Sequence, residues 1–413
     1  MREAKPFLIS RQEVYDAYRI VKANKGAAGV DKQTITEFEE DLKNNLYKIW
    51  NRMASGSYFP PPVMRVEIPK SNGKTRPLGI PTVADRIAQT VIKRRLEPTL
   101  EAIFHPDSYG YRPGRSPLQA VGVARERCWK YDWVVDLDIK SFFETIDHEL
   151  IMKAVRKHTD CKWVLLYIER WLKVPVQLKD GTLLQRTEGT PQGGVISPLL
   201  ANLFLHYAID KRLQEKCPNI LFERFADDII CHCKTKAQAL WLMGALEKRL
   251  KQCGLELNLQ KTKIVYCQNG KRKGTYPNKS FDFLGFTFQA RKCKSAQGVY
   301  FTGFNPGMSK KAMKEKRQEL KDLEVARRTQ ATLEDLAETL NEKIRGWIQY
   351  YGKFYKTAMY PLLNYVNGLL VEWARSKYKR FKRGKKKARN WLETIEYEKP
   401  KMFAHWYLLK EMV

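Results

Sequence analysis

LFERFADDIICHC, residues 221–233, is the stretch that decides the fold. Two short runs of large apolar residues flank an adjacent pair of aspartates, Asp227 and Asp228, which is typical of a β-hairpin with a carboxylate-bearing turn. Carboxylates beside apolar strands are costly to bury unless cations or a metal neutralise them. One interpretation is a divalent-metal site for phosphoryl chemistry, because Mg²⁺ prefers carboxylate oxygens and shares them with phosphates. An exposed Asp-Asp turn is the other interpretation, and this stretch alone leaves both open.

The composition indicates a basic, folded protein. The 413 residues contain 75 Lys and Arg against 45 Asp and Glu, which gives a formal net charge of +30. This excess favours a polyanion as partner, because each neutralised phosphate releases condensed counterions. An aromatic content of 12% argues against a disordered basic tail. The length allows two or three domains with their own cores.

The cysteines and the N-terminus indicate the compartment. Eight cysteines occur without a C-x-x-C pair or a matching His cluster, so we expect reduced thiols rather than a disulfide framework or a zinc site. The N-terminus lacks the apolar core of a signal peptide, and no run of about 18 apolar residues occurs. We therefore expect a cytoplasmic protein.

A second acidic cluster lies in WVVDLDIKSFFETIDH, residues 133–148. Its first half predicts a buried strand in which Asp136 and Asp138, two residues apart, share one face. Two aspartates on one face of a strand, followed by Phe142 and Phe143, are hard to explain as packing. This pattern favours a functional carboxylate.

A predicted hairpin covers residues 63–81, VMRVEIPKSNGKTRPLGIP, with Asn72-Gly73 as its turn. Lys70 and Arg76 flank the turn. Basic residues at a hairpin tip are often only solvated, so this segment by itself leaves their role open.

A glycine-rich loop precedes an apolar helix in TEGTPQGGVISPLLANLFLH, residues 187–206. Its glycines permit a close approach of the backbone to a ligand, or they simply form the entrance to the helix. Gln192 is the polar side chain best placed to extend from this loop.

The remaining pattern predicts helices interspersed with hairpins, and no internal repeat appears. We expect helices over residues 1–50 (broken by a loop at 24–31), 83–103, 117–130, 237–253 and 307–328, and strands over 255–265 and 281–288. Helices and hairpins around carboxylate-bearing strands suggest an α+β polymerase palm.

The C-terminal part is helical and strongly basic. Residues 371–390 contain ten Lys and Arg and one Glu. Aromatic residues are interleaved with them, at Trp373, Tyr378, Phe381 and Trp391. Cations for phosphates and rings for stacking suit RNA recognition, although a charge run can also be a solvated face.

In this order, EIPKSNGKTRPLGIPT, YGYRPGR, DIKSFFETIDH, GTPQGGVISPLLANLFLH, FADD and FLGF resemble the motifs of the reverse transcriptase/maturases encoded by bacterial group II introns. The resemblance covers nearly the whole chain, from NKGAAGVD to IRGWIQYYGKFY. It implies a right-hand α+β fold with fingers and palm (1–300), thumb (301–334) and a helical maturase domain (335–413). It also implies an RNA-directed DNA polymerase that binds intron RNA to promote splicing and copies it into DNA during retrohoming.

The same resemblance assigns site residues. Asp138, Asp227 and Asp228 are the implied catalytic carboxylates, and with Ile139 they are the implied ligands of two Mg²⁺ ions, for which Mn²⁺ is a substitute; Asp136 is a bystander or support. The implied nucleotide-binding residues are Lys70, Arg76, Phe143 as a steric gate against the ribose 2′-OH, Gln192 and Lys261. The implied RNA-binding residues are Arg345, Trp347, Lys377, Lys379, Arg380, Lys382, Arg383, Lys385, Lys386 and Lys387.

Two features depart from the family pattern. Phe225 stands where the family usually has tyrosine, and we expect activity to survive this change. After the maturase region we expect no His-Asn-His nuclease module, as in family members that lack the C-terminal endonuclease domain.

The implied partners are group II intron RNA, an RNA template with a DNA primer, target DNA and deoxynucleoside triphosphates, with no membrane. A homodimer is left open beside a monomer. We expect a bacterial cytoplasmic protein that associates with the nucleoid on target DNA. The alternatives are a non-enzymatic RNA-binding splicing cofactor, or a reverse transcriptase of a retron, diversity-generating or CRISPR-linked system.

Overall fold

The structure is a computed structural model that describes residues 5–69, 75–295 and 297–410. Helices and strands alternate through the first three hundred residues, and the rest of the described chain is largely helical, which confirms the predicted α+β class. The helices are α1 (Arg11–Asn24), α2 (Ile35–Glu40), α3 (Leu42–Ser55), α4 (Val83–Glu101), α5 (Pro117–Lys130), α6 (His148–Arg156), α7 (Lys162–Leu172), α8 (Ser197–Leu205), α9 (Lys211–Lys216), α10 (Lys236–Gln252), α11 (Lys310–Asp322), α12 (Leu333–Tyr351), α13 (Tyr360–Lys377), α14 (Lys385–Glu398) and α15 (Ala404–Lys410). The strands are β1 (Val63–Pro69), β2 (Thr75–Ile80), β3 (Trp133–Leu137), β4 (Val176–Gln177), β5 (Leu183–Leu184), β6 (Leu221–Phe225), β7 (Asp228–Cys233), β8 (Lys263–Tyr266), β9 (Ser280–Phe283), β10 (Phe286–Lys294) and β11 (Tyr300–Met308).

The chain forms two compact units. Unit 1 consists of Met1–Ala120 and Val135–Ile264, and unit 2 of Val121–Val134 and Val265–Val413. The boundaries expected from the sequence, at residues 300 and 334, stay predictions. None of the helices in the described ranges is long and apolar enough to cross a membrane. All eight cysteines are free.

Unit 1 begins with helices that pack through one apolar face. The Ser10 hydroxyl caps α1 by accepting a hydrogen bond from the backbone N–H of Glu13. The Glu13 carboxylate in turn accepts a hydrogen bond from the backbone N–H of Ser10. Val14, Tyr18 and Val21 recur on the buried face of α1, which contacts α3 and α4. The predicted loop after α1 is present, so the glycines there end the first helix as expected.

The first sheet of unit 1 has the strand order β2-β1-β4-β5. Strands β1 and β2 are antiparallel, with a register from Met64 opposite Ile80 to Pro69 opposite Thr75. The hairpin predicted over 63–81 is therefore confirmed in its two strands. Its tip, residues 70–74, lies outside the described residues, and the prediction for Lys70 lies there too.

The second sheet has the order β6-β7-β3-β8 and carries the two acidic stretches. Strands β6 and β7 form the expected antiparallel hairpin, with Phe225 opposite Asp228. Ile229, Ile230 and Cys231 on β7 are fully buried, and α10 packs against this strand. The hairpin is thus fixed by its apolar strands, and the turn is where its carboxylates emerge.

Two local predictions need correction. The strand expected over 255–265 is confined to β8, because a turn closes at Asn258, whose carbonyl accepts hydrogen bonds from the backbone N–H groups of Lys261 and Thr262. The strand expected over 281–288 is instead a tight hairpin, with Leu284 and Gly285 between β9 and β10. The turn at Asn258 and the turn at Leu284-Gly285 lie inside apolar stretches, and the hydrophobic pattern alone does not show where such a stretch turns.

Unit 2 contains α5, a three-stranded sheet and the C-terminal helices. Its sheet has the order β11-β10-β9, and the β10–β11 register runs from Phe286 opposite Met308 to Lys294 opposite Tyr300. Stacked rings of Phe281 and Phe288, with centroids 4.6 Å apart, fill the face of this sheet. The helices α11–α15 form the remainder, with Trp373 and Trp406 fully buried.

Candidate active site

The turn between β6 and β7 presents two carboxylates. Ala226 and Asp227 form the turn, and Ala226 has φ +56°, in the left-handed region that non-glycine residues enter at a cost. Asp227 is half-buried, whereas Asp228, the first residue of β7, is exposed. The costly conformation is held by the surrounding contacts, so the turn is a fixed platform for both side chains.

Asp138 follows β3 and is held by the turn at Asn258. Its backbone N–H donates to the Thr262 hydroxyl at 3.2 Å, and its carbonyl accepts from the Asn258 N–H at 2.8 Å. The Lys261 ammonium lies 3.2 Å from each carboxylate oxygen of Asp138. Two predicted site residues, far apart in the sequence, are therefore in direct contact.

Electrostatic interactions connect Asp227 with the other predicted residues. Burial raises the pKa of Asp227, and the negative charge of Asp138 raises it further, while a backbone hydrogen bond and the charges of Arg76 and Lys261 oppose this shift. Strand β7, which begins at this turn, neighbours β3 in the sheet, and Asp138 directly follows β3. Burial is the largest cause of the raised pKa of Asp227.

The described residues contain no group of three or more Asp, Glu, His or Cys side chains arranged to hold a metal ion. Asp138 is paired instead with Lys261, with 34% and 67% of their side chains exposed, respectively. The donors themselves are hard carboxylate oxygens, which suit Mg²⁺. The chemistry of the residues fits a divalent cation, and the Lys261 ammonium currently supplies the positive charge at Asp138.

Ile139 and Asp136 are the neighbours of Asp138 that the sequence also singled out. Ile139 is buried and forms an isolated antiparallel bridge with Leu257. This bridge fixes the backbone on the C-terminal side of Asp138, and a role of Ile139 in metal binding stays a prediction. Asp136 is partly buried within β3, two residues before Asp138.

A buried ion pair supports the carboxylate turn, and the sequence reasoning missed it. Arg224 donates from Nε to Asp210 Oδ1 at 2.8 Å and from Nη2 to Asp210 Oδ2 at 2.6 Å, and both side chains are fully buried. The remaining nitrogen, Nη1, donates to Asn202 Oδ1 at 2.8 Å and to the carbonyl of Ala226 at 3.2 Å. One guanidinium therefore connects the turn to the helix carrying Asn202 and Asp210.

That helix changes its winding at the ion pair. α8 ends at Leu205, and His206–Asp210 continues as a π-helix into α9. A π-helical turn is rare and redirects the side chains that follow it. Asp210 is the last residue of the π-helical segment, which brings its carboxylate to Arg224. The only sequence signal was the charged pair Glu223 and Arg224 inside a strand whose other residues are apolar.

The YGYRPGR segment contacts the same turn from its other side. A Cβ on Gly110 would lie 2.3 Å from the Ala226 nitrogen, so only glycine permits this approach. Asn202 Nδ2 donates to the Gly110 carbonyl at 2.7 Å, and the Tyr109 N–H donates to the Arg224 carbonyl at 2.8 Å. The motif therefore holds the backbone of the turn. The sequence showed the YGYRPGR motif but did not predict that it contacts the carboxylate turn.

The predicted nucleotide-binding residues meet at the glycine loop. Arg76 Nε donates to Gln192 Oε1 at 2.5 Å, and the Gly79 N–H donates to the Gln192 carbonyl at 2.6 Å. A Cβ on Gly193 would lie 2.3 Å from the Gly79 carbonyl oxygen, so the loop and β2 are in backbone contact. Arg76 and Gln192 are thus brought together as one polar pair.

Phe143 is held against the same loop through its backbone. Its carbonyl accepts a hydrogen bond from the Thr190 N–H at 2.7 Å, and its ring centroid lies 5.3 Å from that of Phe142. Only 6% of Phe143 is exposed. A Cβ on Gly189 would lie 2.5 Å from the Glu144 carbonyl oxygen, which explains the glycine at this position.

A buried carboxylate, Asp85, supports the glycine loop through a hydrogen-bond network. Asp85 on α4 accepts hydrogen bonds from Tyr58, Trp171 and Gln89, and burial raises its pKa to about 6. Gln89 Oε1 in turn accepts from the Ile196 N–H at 3.2 Å, at the end of the loop. This network gives the loop a rigid support, and no periodicity in the sequence would have revealed it.

The implied RNA-binding residues of unit 2 divide into two groups. Most of the cations are exposed, namely Arg345, Lys379, Arg380, Lys382, Arg383, Lys385, Lys386 and Lys387. Lys377 is partly buried and donates to the Ala331 carbonyl at 2.6 Å. Trp347 is only 8% exposed, so its ring packs inside unit 2 and is not available for base stacking.

The interleaved aromatic residues of the basic segment also pack together. The Tyr378 ring lies 5.5–5.9 Å from those of Trp373, Phe381 and Trp391. Trp373 and Phe381 are buried, whereas Tyr378 and Trp391 are partly exposed, so stacking of these two rings on RNA bases stays a prediction. The four rings form the local core between α13 and α14, because a basic segment of this length needs an apolar cluster to fold.

Together, the acidic hairpin, the Asp138 strand beside it and the basic β1–β2 hairpin form the arrangement of a right-hand nucleic-acid polymerase. Comparison with known proteins agrees. The family model described as reverse transcriptase (RNA-dependent DNA polymerase) matches residues 68–288, and the model of the group II intron, maturase-specific domain matches residues 313–391. The chain belongs to the group II intron-encoded reverse transcriptase/maturase family.

Individual relatives give the same result with different coverage. Protein YkfC of Escherichia coli (strain K12) is 36% identical over 308 residues, which are 64% of this chain and 79% of YkfC. Group II intron-encoded protein LtrA of Lactococcus lactis subsp. cremoris is 37% identical over 204 residues, 48% of this chain and 33% of LtrA. Putative COX1/OXI3 intron 2 protein of Saccharomyces cerevisiae is 28% identical over 213 residues, 49% of this chain and 24% of that protein. The match thus spans much of YkfC and a third or less of the two intron proteins.

The predicted family and the predicted right-hand fold with a helical maturase domain are therefore confirmed. The matched families support an RNA-directed DNA polymerase with a role in splicing. The individual site residues, the metal ions and the target DNA are not decided by these matches.

Proposed function

We propose that this chain adds deoxynucleotides to a primer 3′-OH on an RNA template, and that it copies group II intron RNA into DNA during retrohoming. One observation carries the proposal. The turn that carries Asp227 joins β6 to β7, β7 neighbours β3 in the sheet, and Asp138 follows β3 with the Lys261 ammonium 3.2 Å from its carboxylate. Paired carboxylates with cations around them suit the transfer of a charged phosphoryl group.

Asp138 and Asp227 would hold the catalytic metal, with Asp228 in support. Bound to these carboxylates, two Mg²⁺ ions, or Mn²⁺ as a substitute, would activate the 3′-hydroxyl and neutralise the leaving pyrophosphate. Burial raises the pKa of Asp227, and a cation bound beside it would favour its charged form. The buried Arg224 network keeps the turn rigid, so the carboxylates need no reorganisation during the reaction.

The other predicted residues have roles at the nucleotide. Arg76, oriented by Gln192, would neutralise charge on the triphosphate. Lys261 would leave Asp138 and move toward the pyrophosphate when the metal neutralises that carboxylate. Phe143, whose backbone is clamped to the glycine loop, would exclude the ribose 2′-OH by its fixed position. Lys70 remains a prediction from the sequence.

The C-terminal part of the chain supports the proposal that intron RNA is a partner. The maturase-specific match covers the exposed cations from Arg345 to Lys387, and the match disfavours a retron, diversity-generating or CRISPR-linked enzyme. Binding of target DNA and association with the nucleoid accompany the proposed retrohoming role. Assembly as a homodimer stays open. A chain that binds intron RNA without making DNA would be the non-enzymatic splicing cofactor.

The intron-binding role is tested by removing three exposed lysines. In the triple variant Lys382→Ala, Lys386→Ala and Lys387→Ala, we expect intron RNA to bind about tenfold more weakly. The slope of log affinity against log salt should fall by roughly 2–3, since each lost phosphate contact removes about 0.7–0.9. Splicing of the intron RNA by the variant should fall in parallel.

The matched control removes three exposed lysines of unit 1, with Lys234→Ala, Lys236→Ala and Lys248→Ala. It changes the net charge by the same amount. The control should bind intron RNA nearly as well as the unaltered chain. Equal losses in both triple variants would mean that general charge, and not the C-terminal segment, holds the RNA.

A further inference from the structure

Large apolar side chains are exposed in unit 2 at the end of α5 and the start of β11. Trp129 is 44% exposed, and Val299, Tyr300 and Phe301 are 63%, 61% and 51% exposed. Trp129 and Phe301 line one cavity, whereas Tyr300, next to Phe301 in β11, faces the opposite side of the sheet. Exposed apolar side chains occur singly on many proteins, but two large rings at one cavity indicate an interaction site. We name Trp129 and Phe301 the aromatic platform.

The position of these rings is fixed by the backbone beneath them. Trp129 Nε1 donates to the Phe304 carbonyl at 3.1 Å, and the Gly270 N–H donates to the Thr302 carbonyl at 3.0 Å. The segment that contains Gly270 therefore runs along the free edge of β11. Between this segment, Trp129 and Phe301 lies a cavity of about 330 Å³, which Lys271 also lines. That volume is at the small end of ligand sites, with room for one flat group.

Cations lie beside the rings. The Arg125 guanidinium is 4.5 Å from the centroid of Trp129, and its Nε donates to Asn305 Oδ1 at 3.0 Å. Lys292 and Lys294 lie on the opposite face of the β10–β11 hairpin, with their ammonium groups 4.5 and 5.8 Å from the centroid of Tyr300. These contacts orient both the cations and the rings.

Basic residues outnumber acidic ones in the segments that contain the platform. Residues 121–134 and 265–308 contain ten Lys and Arg against three Asp and Glu. The three acidic residues are Glu126, Asp132 and Asp282, and Asp132 is already paired with Arg272 at 2.7 Å. A surface of this composition is complementary to a polyanion, whereas an apolar protein partner would gain nothing from the excess of cations.

We propose that the aromatic platform binds single-stranded RNA, with bases stacked on Phe301 and Trp129 and with Arg125 and Lys271 at the phosphates. Rings for bases and cations for the backbone are what recognition of an unpaired strand requires, because a duplex hides the faces of its bases. The inference deepens the proposed function by adding an RNA contact outside the C-terminal basic segment. It rests on the proposed function only for the identity of the RNA.

The experiment uses the full chain and a 12-nucleotide single-stranded RNA with a fluorescent end label. For the variant Phe301→Ala, we expect the dissociation constant to rise about tenfold. The ring-preserving variant Phe301→Tyr should bind as the unaltered chain does, and Tyr300→Ala, which removes the neighbouring ring on the opposite face of the sheet, should leave the affinity unchanged. The matched control Trp241→Ala removes a ring that is 58% exposed in unit 1 and should leave the affinity unchanged.

Three comparisons complete the test. A blunt RNA duplex should compete poorly, a DNA strand of the same sequence reports how far the ribose matters, and 4-thiouridine in the RNA should crosslink to the peptide that contains Phe301. The proposal is overturned if Phe301→Ala binds as the unaltered chain does, if the ring-preserving variant loses equal affinity, or if only self-association changes. Because binding is measured without polymerisation, an inactive polymerase would refute the proposed function and leave this inference standing.

Discussion

Asparagine in place of Asp227 is expected to slow deoxynucleotide incorporation by about a thousandfold or more, while the chain stays folded. The substitution keeps the shape of the side chain and removes the negative charge that would hold a metal ion. Metal-ion catalysis contributes several kcal/mol of transition-state stabilisation, and about 4 kcal/mol corresponds to a thousandfold change in rate. Burial already raises the pKa of Asp227, so a neutral amide should not disturb the folded state.

The measurement is the rate of single-nucleotide addition to a primer on an RNA template under saturating nucleotide. Asp136→Asn is the matched control, because Asp136 lies two residues before Asp138 in the same stretch and is also partly buried. The control should stay within a few fold of the unaltered rate. An Asp227→Asn variant that retained most of its rate would show that the carboxylate turn is not the catalytic site.

Methionine in place of Arg224 is expected to destabilise the chain by about 3–5 kcal/mol, because it leaves the Asp210 carboxylate buried and unpaired. The same change removes the donor to Asn202 and to the Ala226 carbonyl. DNA synthesis should therefore fall even at temperatures where the variant is folded. Denaturant unfolding and single-nucleotide addition, measured on the same preparation, separate the two effects.

A double variant distinguishes positioning from stability. Adding Asp210→Leu to Arg224→Met removes both buried charges and should recover a large part of the lost stability, since an apolar pair of similar volume replaces the ion pair. The rate of DNA synthesis should remain at least about tenfold low, because the Ala226 carbonyl still lacks its donor. If the double variant regains the full rate together with its stability, Arg224 serves the fold alone.

The hairpin and its carboxylates could be predicted because their signals are local. In residues 221–233 the apolar runs that form β6 and β7 directly border Asp227 and Asp228, so a short window contains both the strands and the turn. The β1–β2 hairpin was predictable for the same reason. Antiparallel strands joined by a short turn need no knowledge of the rest of the fold.

The contacts that complete the site could not be predicted from such windows. Lys261 reaches Asp138 because a turn at Asn258 replaces the expected strand. Asp210 reaches Arg224 because the helix that carries Asp210 becomes π-helical over His206–Asp210. In each case a local departure from regular geometry brings together residues far apart in sequence, and hydrophobic periodicity carries no information about it.

The C-terminal segment shows what composition leaves open. Aromatic residues among cations suggested stacking on RNA, and in the structure the Tyr378 ring contacts those of Trp373 and Trp391, with Trp373 fully buried. Composition indicates which chemistry a segment has available, and only packing decides whether a ring is used for the core or for a ligand. Trp129, Tyr300 and Phe301 are exposed, and no sequence pattern predicted this.

The central claim is that this chain is an RNA-directed DNA polymerase that needs a divalent cation at Asp138 and Asp227. Its most direct test is extension of a DNA primer on an RNA template by the unaltered chain, with Mg²⁺ present, with Mg²⁺ removed by a chelator, and with Mg²⁺ restored. We predict template-dependent addition of deoxynucleotides that stops on chelation and returns when Mg²⁺ is added back. Extension that continues unchanged without a divalent cation, or no extension by the folded chain under any of the three conditions, would contradict the claim.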